Sequence, residues 1–318
     1  MSSLRNKIVQ KIQSENCVRS KVVLKDGLEP ELLFKNRYGN KSVLKSRFGR
    51  KAPLAAAVIL AIIFAGCIFS DLITTRDPSY MDLGKLDMAP CAGYIFGTDT
   101  MGRDIYSMIW YGGRISLFIG IVSALISTLI AVTIGALSGS ASDRMDAVIM
   151  RITDIILSIP SLPLAIMLQA MMGAANVISL SVVIGATNWM NMAKLIRTEV
   201  RQLRDTEYVI AARSMGGGFF YVLFKHLAPN FIPSLMFMIV MSIRSAIASE
   251  STLSFLGMGL PLEQISWGSM LSLSEKALMT DSWWIIVIPG AFLAVTLLCI
   301  TSLGNSLRGE LSKRHSQL

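Results

Sequence analysis

The chain has 318 residues, of which 53% are hydrophobic and only 16% charged, with a mean hydropathy of +0.55. A soluble domain carries about 25% charged residues. The deficit, together with apolar runs long enough to cross a bilayer, excludes an ordinary soluble protein and predicts a polytopic membrane protein. The net charge of +9 is no argument for nucleic acid, because residues 1–51 hold 13 Lys/Arg against 4 Asp/Glu and the remainder sums to zero.

In chain order, residues 1–51 form a basic tail, ending in Lys45, Arg47, Arg50 and Lys51 immediately before the first apolar run. That placement holds the tail on the cytoplasmic side of a membrane and rules out a secretory signal at the N-terminus. The first span is predicted over 53–73. Residues 74–113 follow as a loop with 3 Lys/Arg and 5 Asp/Glu. From Asp104 this loop is expected to turn into a short amphipathic helix, separate from the second span at 115–137. The third span covers 147–172, with Pro160 and Pro163 able to kink it, and the fourth covers 177–192. Residues 194–230 form a polar stretch with 6 Lys/Arg and 3 Asp/Glu. The fifth span is 231–256, the loop 257–283 is acidic, and the sixth span is 284–303 ahead of a short basic tail. Six spans place both termini in the cytoplasm, and each long loop then obeys the positive-inside rule.

The polar stretch contains the most ordered sequence outside the spans. Glu207 to Met215 suits a helix, Gly216, Gly217 and Gly218 break it, and Phe219 to Leu227 can restart one. Pro229 is expected to end that second helix. The four cysteines, Cys17, Cys67, Cys91 and Cys299, have neither metal nor disulfide spacing, and Cys67 and Cys299 fall inside apolar runs. Two histidines, His226 and His315, are too few to suggest a metal site.

The spacing Ala211-Ala212, three residues, Gly216, nine residues, His226, then Pro229 resembles the cytoplasmic loop of permease subunits of bacterial ABC importers. Phe96-Gly97-Thr98-Asp99 with Gly102-Arg103-Asp104 resembles the start of the dipeptide/oligopeptide/nickel subfamily. Glu250-Ser-Thr-Leu-Ser-Phe-Leu-Gly-Met-Gly, Pro261 and Ser266-Trp267-Gly268 resemble its end, in the chain of the permease pair that carries the Glu-x-x-Leu-Ser-Phe-Leu-Gly segment. The resemblance implies an all-α fold of the type-1 permease kind. Its parts are a cytoplasmic tail over 1–51, a first helix over 52–73, an extracytoplasmic loop over 74–113, a permease domain over 114–306 and a cytoplasmic tail over 307–318.

It further implies a second, homologous permease chain, two ATPase subunits that bind the ATP, an extracytoplasmic substrate-binding protein, and di- or oligopeptide cargo. A nickel or metal-chelate cargo is the alternative, and a stand-alone secondary transporter or a membrane scaffold are rivals of other classes. By this resemblance Glu207, Ala211, Ala212, Arg213, Gly216, Phe219, Phe220, His226 and Pro229 couple the chain to the ATPases. The family's motif glutamate is replaced here by Ile210, and His226 is expected to cap or pack a helix.

Two further features need weighing from the residues alone. Gly97, four residues and Gly102 copy the spacing of a phosphate-binding loop, but Arg103-Asp104 stands where Lys-Ser/Thr is needed. No ATP site, cofactor or metal is therefore expected in this chain. Ionisable groups inside spans are costly, which makes Asp154, Arg244 and Glu250, with Trp267 beside them in the second motif, candidates for a pathway or gate. Arg244 and Glu250, six residues apart, do not share a helix face.

Overall fold

The structure is a computed structural model that describes residues 52–315 apart from 262, 274–276 and 278. The basic tail and Cys17 lie outside the described residues. The elements are α1 (Ala52–Ile68), α2 (Ser70–Ile73), α3 (Ile105–Ser140), α4 (Asp143–Leu157), α5 (Ser161–Met172), α6 (Val177–Asn188) and α7 (Met190–Arg204). They continue with α8 (Glu207–Ser214), α9 (Phe219–Val222), a π-helical turn (Leu223–Leu227), α10 (Ala228–Phe255), α11 (Trp267–Ser272) and α12 (Trp284–His315). The fold is all-α, with only two isolated β-bridges among the described residues.

Among the described residues, three helices are long and apolar enough to cross a membrane: 105–140, 219–255 and 284–309. The pair α4 and α5 is apolar enough when taken together, and is bent by 88° at its break, as in a broken span or a re-entrant loop. Shorter apolar helices cover 53–68 and 177–188. Together these account for the six apolar runs of the sequence.

The boundaries differ from expectation in four places. The expected amphipathic helix after Asp104 is not separate: α3 is one helix of 36 residues, about 54 Å long at 1.5 Å per residue. Gly112 and Gly113 do not break it, because they are points of close approach. A Cβ on Gly113 would lie 2.4 Å from the Cys67 sulfur and 2.7 Å from the Trp267 ring. The third span is broken at Ser158–Pro160, where Pro160 takes an extended ψ of 137°. Pro163 sits in the first turn of α5, where a missing N–H leaves nothing unpaired. The helix after Trp189 runs on to Arg204, so the first third of the expected 194–230 loop is helical. Finally, Pro229 does not end a helix but lies in the first turn of α10. The π turn before it, where the Ala228 N–H reaches back to the Leu223 carbonyl, widens the helix so that the proline ring is accommodated.

Three hydrophobic clusters form the core, and α3 and α10 contribute to all of them. One surrounds Trp267 and Trp284 with Ile63 and Cys67 of α1; one joins α7 to the 207–230 stretch; one holds α5 and α6. Small residues on α3 let its partners come close. A Cβ on Gly135 would lie 2.6 Å from the Ala193 carbonyl oxygen of α7, and one on Gly120 would lie 2.6 Å from Ile247 of α10. Such glycine contacts replace the hydrophobic effect as the packing device among membrane helices. Gly135→Leu is expected to destabilise the chain by about 1–3 kcal/mol through overpacking, measured as a lower Tm of the detergent-solubilised protein; an unchanged Tm would show that α3 and α7 have slack.

Residues 74–104 form an ordered cap. Arg76 stacks on Tyr94 with its guanidinium 4.1 Å from the ring centroid. Thr98 accepts from the Met88 N–H at 2.8 Å and donates to the Lys85 carbonyl at 2.6 Å. The Trp284 indole donates to the Thr98 carbonyl at 3.1 Å, tying the cap to α12.

Candidate coupling surface and buried polar centre

Helix α8 is short but well terminated. Thr206 precedes it, Glu207 lies in its first turn and Arg213 in its last, charges that suit the helix dipole. At its end Gly216 has φ of +87°. The Gly217 N–H reaches the Ala212 carbonyl and the Gly216 N–H the Arg213 carbonyl, each at 3.0 Å. This is a Schellman cap, and its left-handed residue favours glycine.

Val209 and Ala212 face inward at 0% and 4% exposure and pack on the α7 and α10 cluster. Ile210, Ala211 and Arg213 face outward, with Ile210 at 51% exposure where the family pattern has a glutamate. After the turn, Phe219, Phe220, Tyr221 and Phe224 are exposed, Phe220 the most at 71%. His226 lies between two rings, 6.1 Å from Tyr208 and 5.6 Å from Tyr221. It packs one arm of the hairpin onto the other. Tyr221, expected from the sequence to be an exposed aromatic anchor, also holds His226 in place together with Tyr208.

Behind this surface lies a charge cluster. Asp146 of α4 is buried and accepts from Arg197 and Arg201 of α7 and from the Ser138 hydroxyl of α3. Asp143 pairs with Arg201 at 2.7 Å. Three helices are thereby fastened at the end of the bundle that carries the coupling stretch. The cluster was legible in outline, since Asp143 and Asp146 are spaced i,i+3 and Arg197, Arg201 and Arg204 are spaced i+4 and i+3, one face each.

Of the candidate pathway residues, Glu250 and Trp267 share one centre through Ser116. Asp154, more than half exposed, pairs with Lys194 of α7. Arg244 is partly buried, and its Nε has no hydrogen-bond partner among the described residues. Glu250 and Trp267 are both buried in the protein's own core.

Glu250 accepts from four serine hydroxyls: Ser266 at 2.7 Å, Ser116 and Ser254 at 3.1 Å, and Ser251 at 3.3 Å. Ser116 also accepts from the Trp267 backbone N–H at 3.2 Å, and the Trp267 indole donates to the Ile109 carbonyl at 3.0 Å. Gly268 makes this possible, since a Cβ there would lie 2.7 Å from Ser251 Cα. The centre pins α3, α10 and α11 together.

The loop-like turn at Gly97 is filled by its own side chain. The Asp99 carboxylate takes the N–H groups of Met101 and Arg103 at 2.9 and 2.8 Å and the Arg103 side chain at 2.7 Å. Asp104 caps α3 by accepting from the Ser107 N–H at 3.1 Å. The donors a phosphate would use are therefore taken.

A family model described as "Binding-protein-dependent transport system inner membrane component" matches residues 131–316, from the last third of α3 through α12. The chain belongs to this family. It is 34% identical over 264 residues to the oligopeptide transport system permease protein OppC of Bacillus subtilis (strain 168), covering 83% of this chain and 86% of that one. It is 32% identical over 264 residues to the dipeptide transport system permease protein DppC of the same strain, covering 83% and 82%. As an inner membrane component the chain is a multi-pass membrane protein, and the resemblance to ABC importer permeases drawn from its motifs agrees with both relatives. All the elements of the coupling stretch, the arginine cluster and the buried serine–glutamate centre apart from the part of α3 before residue 131 fall inside the matched segment.

Proposed function

We propose that the chain is the membrane permease subunit of an ATP-driven importer of di- and oligopeptides. The relatives named for oligopeptide and dipeptide transport favour that cargo over nickel. In this reading a second, homologous permease chain completes the pathway, two ATPase subunits bind ATP, and an extracytoplasmic binding protein delivers the peptide. Both termini and residues 194–230 lie in the cytoplasm, and 74–113 and 257–283 lie outside. The chain itself needs no cofactor, and a turn already filled by Asp99 supports leaving ATP to the partners.

The observation that carries the reading is the shape of the 207–230 stretch. An eight-residue helix presents Ile210, Ala211 and Arg213, is seated on Val209 and Ala212, and passes by way of Phe219 and Phe220 into α10 with hardly a break. A docking helix fastened at its base transmits displacement to the spans and does not merely follow it. Apolar Ile210 and the exposed aromatic rings supply the anchors such an interface uses. Reversing an access equilibrium nearly completely requires about 5 kcal/mol of differential affinity, which ATP binding to the partners would deliver here.

Gly216→Trp tests this. Its Cβ meets nothing within 4 Å, so the chain should insert and fold. Its left-handed backbone disfavours any side chain by roughly 1–2 kcal/mol, which displaces α8. In proteoliposomes holding the assembled transporter, uptake of a labelled tripeptide should fall at least tenfold, and the loaded binding protein should no longer stimulate ATP hydrolysis. Uptake at the wild-type rate would remove the coupling role.

A further inference from the structure

A polar cavity of about 260 Å³ lies where the third span breaks. Its polar lining comes from three spans: Ser161 at the start of α5, Thr187, Asn188 and Asn191 at the α6–α7 junction, and Ser245 in the middle of α10. No ionisable residue lines it. The Thr187 hydroxyl donates to the Ile184 carbonyl at 3.0 Å. The side chains of Ser161, Asn188, Asn191 and Ser245 hydrogen-bond to no other described residue. Two carboxamides and two hydroxyls thus converge on one space with their donors and acceptors uncommitted.

Such groups are out of place against lipid. Unpaired polar side chains and an interrupted backbone, as at Ser158–Pro160, are tolerated at membrane depth only inside the protein or against a water-filled route. The position fits a route as well. One turn nearer the coupling stretch, the same two elements are bridged by the Asp154–Lys194 ion pair, three residues from Leu157 and Asn191 of the cavity wall. The cavity therefore stands one helical turn from a partly exposed ion pair.

We propose that this cavity is a transit site that binds the peptide backbone of the cargo. A neutral lining that both donates and accepts matches the peptide bond, the one group all peptides share. A carboxamide pairs with an amide N–H and C=O at once. An uncharged site neither selects nor rejects cargo by the charge of its side chains, as passage of varied sequences requires. The proposal rests on the peptide-import reading above.

The test uses the assembled transporter in proteoliposomes, its loaded binding protein and labelled trialanine, and reads peptide imported per ATP hydrolysed. Asn188→Leu/Asn191→Leu should lower that ratio about tenfold or more while binding-protein-stimulated ATP hydrolysis stays within about twofold of wild type. Asn191→Asp guards against a folding defect in the double variant. It is isosteric, sits at the exposed mouth, and turns a donor–acceptor group into an acceptor alone; it should lower the ratio at least fivefold. An unchanged ratio in Asn191→Asp, or in the double variant, overturns the transit site and leaves the importer reading standing. Wild-type proteoliposomes that import no trialanine under ATP overturn the importer reading itself.

Discussion

Replacing Glu250 with leucine is expected to destabilise the chain by about 3 kcal/mol or more. Three of the four serines around it are already committed as acceptors, Ser116 to the Trp267 N–H, Ser266 to the Ser269 N–H and Ser254 to the Leu260 N–H. Their hydroxyl protons have Glu250 as their acceptor. A leucine fills the volume but strands these donors where water is absent, and each buried unpaired group costs about 1–3 kcal/mol. At roughly 2–4 °C per kcal/mol for a chain of this size or somewhat smaller, the Tm of the solubilised protein should drop on the order of 6–12 °C. Glu250→Gln should fall between, since its carboxamide nitrogen would meet hydroxyls that already point their protons at it. A drop below about 2 °C for leucine would mean that the serines find other acceptors and that the centre is not what joins α11 to α3.

Asp146→Ala is expected to rank next. It takes the shared acceptor from Arg197, Arg201 and Ser138 at once. Removing one partner of a buried ion pair costs about 3–5 kcal/mol; here both arginines are about a third exposed, so water recovers part and about 2–3 kcal/mol is expected. The loss should appear in function too, because α7 leads directly into the coupling stretch. Tm and peptide uptake should fall together, and Asp146→Ala/Arg197→Met should regain part of the Tm, the non-additivity expected of one network. Additive effects of the two substitutions would show that the pair is incidental.

The six apolar runs were legible because burial in lipid demands continuous hydrophobicity, and local composition reports it. What sequence misplaced were joints. The stretch from Asp104 suggested a short amphipathic helix separate from the second span, yet at Gly113 Cys67 and Trp267 press against one continuous α3, a fact held by residues about 45 and 155 positions away. Pro229 looked like a stop because a proline needs a widened turn to continue a helix, and the π turn at Leu223–Leu227 is invisible to periodicity. The coupling stretch was legible because its cap is local: Gly216 and Gly217 close the eight-residue α8 by bonding to Arg213 and Ala212, no more than five residues back. Ser251, Ser254 and Ser266 stand in the quoted motifs, but their convergence with Ser116 on Glu250 was not legible, because Ser116 lies 134 residues away and serine in a span carries no distinguishing pattern.

The unbroken length of α3 has one more consequence. Its first residues touch the cap, with Phe96 and Tyr106 ring centroids 5.4 Å apart, and its last turn gives Ser138 to the arginine cluster. A stiff rod of about 54 Å tilted by about 5° at one end moves the other by about 5 Å. The cap and the end of this chain that carries the arginine cluster are therefore mechanically one part, and a load set down on the cap is felt at Asp146 without any intervening joint.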